Sequence, residues 1–352
     1  MGKIISGIQQ IGIGVPDLHK AWKWYRIAFG MDIRMFEESA EAPLMIDYTG
    51  GKVQSRNAAL AVNMQGGGGF EIWQYTSRVP KLPDFEISLG DYGIFACKIK
   101  CRDVKATFNN FKNKGFEIIG KLNKAPDHSE HFFVKDPYGS VFQIVKGGEW
   151  FLKNKVFTGG VDGCIIGVSS IETAKSLYCK ILEYDTIVYD KEGFFEDFTA
   201  LPGGNEKCRR ILLERSKPAA GSFSRFLGSG KIELVQVYHK KPRKIFENRY
   251  WGDRGFIHLC FDVKGMQALQ KECAEKGFPF VVDSRDVFEM GEASGHFSYI
   301  EDQDGTLIEF VETHKIPLIK KLGWYLPVSN KNPGKPLPKW ILRMLVFNRV
   351  KD

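Results

Sequence analysis

Two stretches of the chain write the same hairpin: "FFVKDPYGSVFQIV" at residues 132–145 and "SYIEDQDGTLIEFVET" at 298–313. Each runs an apolar strand into an acidic, glycine-bearing turn and leaves through a second apolar strand, which is the short-range signal of a β-hairpin. In the outgoing strand one polar residue interrupts the apolar run. It is Gln143 in the first copy and Glu309 in the second. A carboxylate inside an apolar strand is costly to bury without a partner, so the exchange of amide for acid asks for a chemical reason.

Working outward, the repetition extends through most of the chain. "IQQIGIGVPDLHKAWKWYRIAFGMDI" (8–33) lies over "VDGCIIGVSSIETAKSLYCKILEYDT" (161–186) at a constant offset of 153, with Tyr25 over Tyr178. "GIFACKIKCRDVKATFNNFKNKGF" (93–116) lies over 255–278 at an offset of 162, and "FEIWQY" (70–75) lies over "IELVQV" (232–237) at the same offset. Several ungapped matches in one order mean a duplicated chain. Each copy opens with an apolar strand, a polar cap position and an amphipathic helix, with Asp17 and Ser169 or Ser170 as N-cap candidates. The helices ending in Lys-Gly-Phe stop at a glycine, which takes the left-handed conformation cheaply. The pattern predicts an α+β protein of four βαβββ modules, at about residues 6–78, 91–146, 159–240 and 253–313. The segment 146–155 is the expected joint between halves.

The 352 residues, 43% hydrophobic and 26% charged, can bury substantial cores. No leader and no long apolar run is evident, and a cytoplasmic protein is expected. The seven cysteines are odd in number and lack C-x-x-C spacing, so reduced core thiols are expected. The net charge of +8 belongs to the end of the chain, where nine Lys/Arg from Lys315 onward face Asp352 alone. That gives no argument for a nucleic-acid partner, and no phosphate-binding glycine motif is present. "HKKPRK" (239–244) reads as a solvated loop. The end of the basic tail (315–352), "PLPKWILRMLVFNRVKD" at 336–352, is expected to pack across the body or against a sister subunit, with a membrane contact the weaker option, and a homodimer is possible.

Four such modules, with "IGIGVPDL" opening one and "DPYGSVFQIV" and "DQDGTLIEFV" closing others, resemble the vicinal oxygen chelate superfamily of glyoxalase I, bleomycin resistance proteins and extradiol dioxygenases. The resemblance covers residues 6–313. It implies paired modules forming open-barrel lobes, with metal ligands on the first and last strands of each module. Carried over, the positions are Gln10, Glu71, Ala96 and Gln143 in the first half, and Gly163, Glu233, His258 and Glu309 in the second. The expected division is an N-terminal lobe (1–147) without metal, a C-terminal lobe (156–314) with a divalent metal on Glu233, His258 and Glu309, and the basic tail.

The resemblance leaves the metal open among Fe, Mn, Zn, Ni and Mg. It implies a glyoxalase- or isomerase-like enzyme acting on a small molecule with vicinal oxygens, Glu233 or Glu309 serving as base. An extradiol-type dioxygenase is the alternative. Tyr299 lies ten residues before Glu309, as in that family's signature, but a second ligand histidine is missing. A non-catalytic ligand binder is the third reading. Trp73 and Tyr75 alternate with Glu71 and share its face, which suits a flat ligand.

Overall fold

The computed structural model describes residues 2–154, 156–238, 241–285, 288–290, 293–319, 323–328 and 332–351. The first module holds β1 (Ile4–Gly14), α1 (Leu18–Phe29), β2 (Ile33–Glu41), β3 (Ser55–Val62) and β4 (Gly69–Tyr75). The second holds β5 (Gly93–Cys101), α2 (Val104–Asn113), β6 (Glu117–Lys124), β7 (Glu130–Lys135) and β8 (Val141–Lys146). The third holds β9 (Thr158–Gly167), α3 (Ile171–Tyr178), β10 (Thr186–Gly193), β11 (Cys208–Glu214), the short α4 (Ser224–Leu227) and β12 (Lys231–Val237). The fourth holds β13 (Gly255–Lys264), α5 (Met266–Glu275), β14 (Val282–Asp283), β15 (Phe288–Met290), β16 (Ala293–Glu301) and β17 (Leu307–Ile319). The tail adds β18 (Trp324–Pro327) and α6 (Lys339–Arg343).

The local signals in the sequence act as expected. The Asp17 carboxylate accepts a hydrogen bond from the Lys20 amide at 3.0 Å, and of the two serines it is Ser170 whose hydroxyl accepts from the Thr173 amide, at 3.2 Å. These satisfy free N–H groups at the starts of α1 and α3. Gly115 and Gly277, after α2 and α5, have φ of 71° and 84°, the left-handed turn that ends a helix.

The strands form two sheets, and each joins one module from each half. The first runs β14-β16-β17-β13-β1-β4-β3-β2, with β15 and β18 attached to β16 and β17. The second runs β10-β11-β12-β9-β5-β8-β7-β6. The seams are antiparallel, β1 against β13 and β9 against β5. The expected lobes, 1–147 and 156–314, therefore do not form as written. The first module closes a lobe with the fourth, and the second with the third. A constant repeat offset shows which modules are alike and not which of them lie side by side.

What binds the two modules of one half is a helix set on a hairpin turn. The Tyr25 hydroxyl of α1 donates to Asp136 Oδ2 at 2.8 Å, and its repeat partner, Tyr178 of α3, donates to Asp302 Oδ2 at 2.9 Å. The other oxygen of each acid accepts two backbone amides of its own turn, from Tyr138 and Ser140 or from Asp304 and Thr306. The two acidic turns quoted above are thus built alike, and Asp136 and Asp302 are buried with their tyrosines.

The tail is continuous with the fourth module, because β17 runs on to Ile319 and pairs with β18. The expected boundary at 314/315 is therefore inside a strand. Farther on, Leu342 and Leu345 are buried, and the Val350 amide donates to the Asp32 carbonyl beside the start of β2. The tail thus packs across the first lobe. His239 and Lys240 of the expected basic loop, and Lys320, Lys321 and Lys331 of the tail, lie outside the described residues. No helix of the described residues is long and apolar enough to cross a membrane.

Replacing Tyr178 by Phe strips Asp302 of a buried donor, a loss of about 1–3 kcal/mol. Urea denaturation is expected to show a lower midpoint with an unchanged slope.

Candidate metal centre

Four strands of the first sheet, β1, β4, β13 and β17, lie side by side, and each carries one of the positions named above. Gln10, Glu71, His258 and Glu309 meet there, all buried. Ligand atoms of Glu71, His258 and Glu309 lie within 4.8 Å of one another. His258 Nε2 sits 3.1 Å from Glu309 Oε2 and 3.3 Å from Glu71 Oε2. It makes a well-directed hydrogen bond to neither and has no other partner among the described residues, and Gln10 Oε1 is also without one there. Gln10 Nε2 lies 3.4 Å and 3.3 Å from the same two carboxylate oxygens. A half-turn of that amide would bring Oε1 to the same point. Buried polar atoms converging on one point, with His258 Nε2 and Gln10 Oε1 left without partners and Gln10 Nε2 holding only long hydrogen bonds, are the arrangement of a ligand set. One imidazole, two carboxylates and an amide suit a divalent cation.

The β1–β13 register makes room for the imidazole. Gly12 is paired with His258, and a methyl on Gly12 would come within 2.3 Å of the ring. Charges in the cluster shape one another. Burial pushes Glu71 up. Burial also works on Glu309, but the imidazole outweighs it and holds that acid below its ordinary value. Burial disfavours the imidazolium, yet Glu309 and Glu71 outweigh it and hold His258 up to about 9.

Tyr299 stands opposite Glu309 in the β16–β17 pairing. Its hydroxyl is 3.5 Å from His258 Nδ1, and burial followed by the two carboxylates pushes its phenol well above its ordinary value. Two adjoining cavities reach the cluster, both lined by Glu71, Glu309 and Phe297. Trp73, Trp251 and Tyr299 line one, and His296 lines the other. His296 Nε2 is 2.5 Å from Asp283 Oδ1 at that rim. Tyr75 is held by a hydrogen bond from its hydroxyl to the Trp251 carbonyl and does not line these cavities.

Glu233 does not join His258 and Glu309, contrary to expectation, because it belongs to β12 of the second sheet. Glu71, assigned from the sequence to a metal-free lobe, takes that place. The second sheet brings together the other four positions, Ala96, Gln143, Gly163 and Glu233, and fills their centre with its own cations. Lys98 Nζ donates to Gln143 Oε1 and, at 2.7 Å, to Glu233 Oε2. Arg210 Nε and the Tyr189 hydroxyl donate to Glu233 Oε1 at 2.6 and 2.7 Å. Arg210 Nη1 also donates to both oxygens of Asp197, which His131 meets in turn, and Gln143 completes the network on His131. Burial would raise Glu233, but Arg210 and then Lys98 outweigh it and hold the acid far below its ordinary value. Gly163 cannot accept a side chain, since its Cβ would fall 1.7 Å from the Lys231 carbonyl oxygen. The sequence signal for this network was present but unread: a lysine inside "FACKIKC" and an arginine inside "CRRILLE".

Breaking a buried ion pair is expensive, so Lys98→Met is expected to lower the unfolding free energy by roughly 3 kcal/mol, the lower end for such pairs, since Arg210 and Tyr189 still hold one oxygen. The sign with pH follows from the depressed acid. Its stabilisation is present above its ordinary value of 4.5 and is lost as pH falls toward the folded-state value. Without Lys98 the acid protonates at higher pH, which relieves the variant. Denaturation at pH 7 and at about pH 4 is expected to show the gap between wild type and variant narrowing at the lower pH.

The family model for the Glyoxalase/Bleomycin resistance protein/Dioxygenase superfamily matches residues 7–144 and 160–310. No curated protein matches the chain. Among solved structures, glyoxalase I from Zea mays is similar at a TM-score of 0.51 and 14% identity, covering 88% of this chain and 92% of its own. A candidate dioxygenase from Bacillus subtilis is similar at a TM-score of 0.57 and 12% identity, covering 88% and 86%. At such identities the likeness to these structures is one of fold. The two family matches together span well over half of the sequence, and the chain belongs to the Glyoxalase/Bleomycin resistance protein/Dioxygenase superfamily.

Proposed function

We propose that the chain is a divalent-metal enzyme of the glyoxalase or isomerase type, acting on a small substrate with two adjacent oxygens. The observation that carries this reading is the convergence of Glu71, His258 and Glu309, with Gln10 beside them, at the buried centre of one sheet. These four residues would hold the cation, which when bound would polarise a substrate oxygen and stabilise negative charge developing on it. Either carboxylate would take a proton from a substrate carbon held in the adjoining cavity. Tyr299 stays protonated at neutral pH and can donate to a substrate oxygen. Trp73, Trp251 and Phe297 form an aromatic wall at that end of the cavity. His296, paired with Asp283, is a second proton carrier at the other.

Two other readings use the same cavity. A ring-cleaving dioxygenase gains from the position of Tyr299, but the donor set has one histidine where that chemistry commonly uses two. A sequestering protein gains from the aromatic wall but needs no converging carboxylates. The small-molecule reading is joined by a cytoplasmic setting, with all seven cysteines free thiols. A homodimer could form through the tail, where Trp340 and Phe347 are exposed.

Elemental analysis of the purified full chain tests the proposal. Wild type is expected to carry close to one of Fe, Mn, Zn, Ni or Mg per chain. His258→Ala and Glu71→Gln are expected to carry at least tenfold less, since even outer partners of a metal ligand change affinity about 10–100-fold. Gly12→Ala, which drives a methyl onto the imidazole, is expected to lower it too. Glu233→Gln is expected to leave it unchanged. A metal-free wild type that binds flat aromatic molecules tightly would turn the assignment to a sequestering protein, and full metal in His258→Ala would remove the site.

A further inference from the structure

The aromatic end of the cavity holds a cation that bonds no ligand of the metal centre. Arg56, on β3, is opposite Tyr75 of β4, two steps along the strand from Ala58 opposite Trp73 and four from Leu60 opposite Glu71. These alternating positions face the same side, and Arg56, Trp73 and Glu71 line one cavity with Trp251, Tyr299 and Glu309. Arg56 is 2% exposed. Its guanidinium stacks over the Trp73 ring, 4.8 Å from the centroid, and its Nη2 pairs with Glu38 of β2. Among the described residues its Nε and Nη1 have no acceptor, and neither do the indole Nε1 atoms of Trp73 and Trp251. The acidic groups of the same cavity are otherwise committed or outside: Glu71 and Glu309 belong to the cluster with His258, and Glu41 is at the exposed rim.

A buried guanidinium with two of its three nitrogens unpartnered is expensive to maintain unless a ligand completes it. What is missing on every side is an acceptor. We propose that this end of the cavity is a subsite for a carboxylate of the ligand, received by Arg56 over the Trp73 ring. Hydrogen bonds from a guanidinium to an ionised acceptor are roughly twice as strong as those to a neutral one, and the burial of Arg56 sharpens the difference. Glu38 neutralises the free cation and fixes its plane by one nitrogen, leaving the others to the ligand. The ligand class is therefore an aromatic or apolar small molecule ending in a carboxylate. That its other end reaches the metal rests on the function proposed above; the subsite itself does not.

The test uses the full chain, stripped of metal with a chelator, and calorimetric titration with phenylacetate and 3-phenylpropanoate beside their primary amides. At least one acid is expected to bind at least about tenfold more tightly than its amide. Arg56→Met is expected to abolish the preference while its metal content after reloading matches wild type. Because that change takes the cation away from Glu38, Arg56→Met with Glu38→Gln is measured alongside and is expected to behave the same way. Acid and amide bound alike, no acid bound at all, or a preference surviving both variants overturns the subsite. A wild type that keeps the acid preference but takes up no metal overturns the metal-enzyme reading alone. A wild type with stoichiometric metal and no acid preference overturns the subsite alone.

Discussion

The antiparallel seam between β1 and β13 is the constraint on which the candidate centre depends. It joins a strand near the beginning of the chain to one that starts at Gly255, and it sets Gly12 against His258. On either flank β4 and β17 run parallel to the seam strands and carry Glu71 and Glu309. Neither half of the chain contains the full set, so no ligand cluster can form until both halves have folded against each other. Formation of the centre thereby reports the pairing of the first and fourth modules. The tyrosine–aspartate pairs work in the other direction, tying the modules that are neighbours in sequence but belong to different sheets.

Each sheet contains one module from each half, so the two lobes are built to the same plan and can be compared position by position. Both keep a glutamate on the last strand of one module, Glu71 or Glu233, opposite a leucine on the adjacent strand. Around it the choices diverge. Arg210, opposite Val235, stands where the first lobe has Ala58 opposite Trp73. Lys98, paired with Gln143, stands where the first lobe has Cys260 paired with Glu309. The second lobe thus carries two protein cations beside one central carboxylate, and every oxygen of that carboxylate is bonded. The first lobe has small residues at those positions and a second carboxylate in place of the amide. Its centre is short of positive charge and has polar atoms without partners. Two carboxylates in a dry site are stable only with a cation between them or a proton shared among their neighbours. The raised His258 is that proton when no metal is present.

The modules, their helices and their caps were legible because they depend on local rules: glycine after a helix, aspartate before one, alternation along a strand. All four residues of the centre were legible as positions too. What the sequence did not reveal was the partner of each module, since the β1–β13 and β5–β9 seams are backbone pairings between strands of similar apolar character. One error of pairing exchanged Glu71 for Glu233 and moved the aromatic face of Trp73 away from the site it borders. The buried network in the second lobe was hidden for a different reason. Lys98 and Arg210 each look like ordinary strand residues until it is known that both side chains turn inward.

The change quoted at the outset, Gln143 in one hairpin and Glu309 in the other, follows from this balance of charge. In the second lobe the residue beside it is Lys98, whose ammonium bonds the amide oxygen and the opposite carboxylate at once. A second acid there would have to share the cations that already serve Glu233 and Asp197. In the first lobe the neighbour is Cys260, a thiol that burial keeps protonated, and among the described residues the imidazole is the one cation paired with the two acids, Arg56 acting on Glu71 from farther off. Restoring Lys98 at the position of Cys260 would place an ammonium against Glu309 and supply from the protein the charge that the first lobe otherwise has to take from outside. The identity of one residue on the seam strand therefore decides whether the same curved sheet closes on itself electrostatically or stays open to a cation.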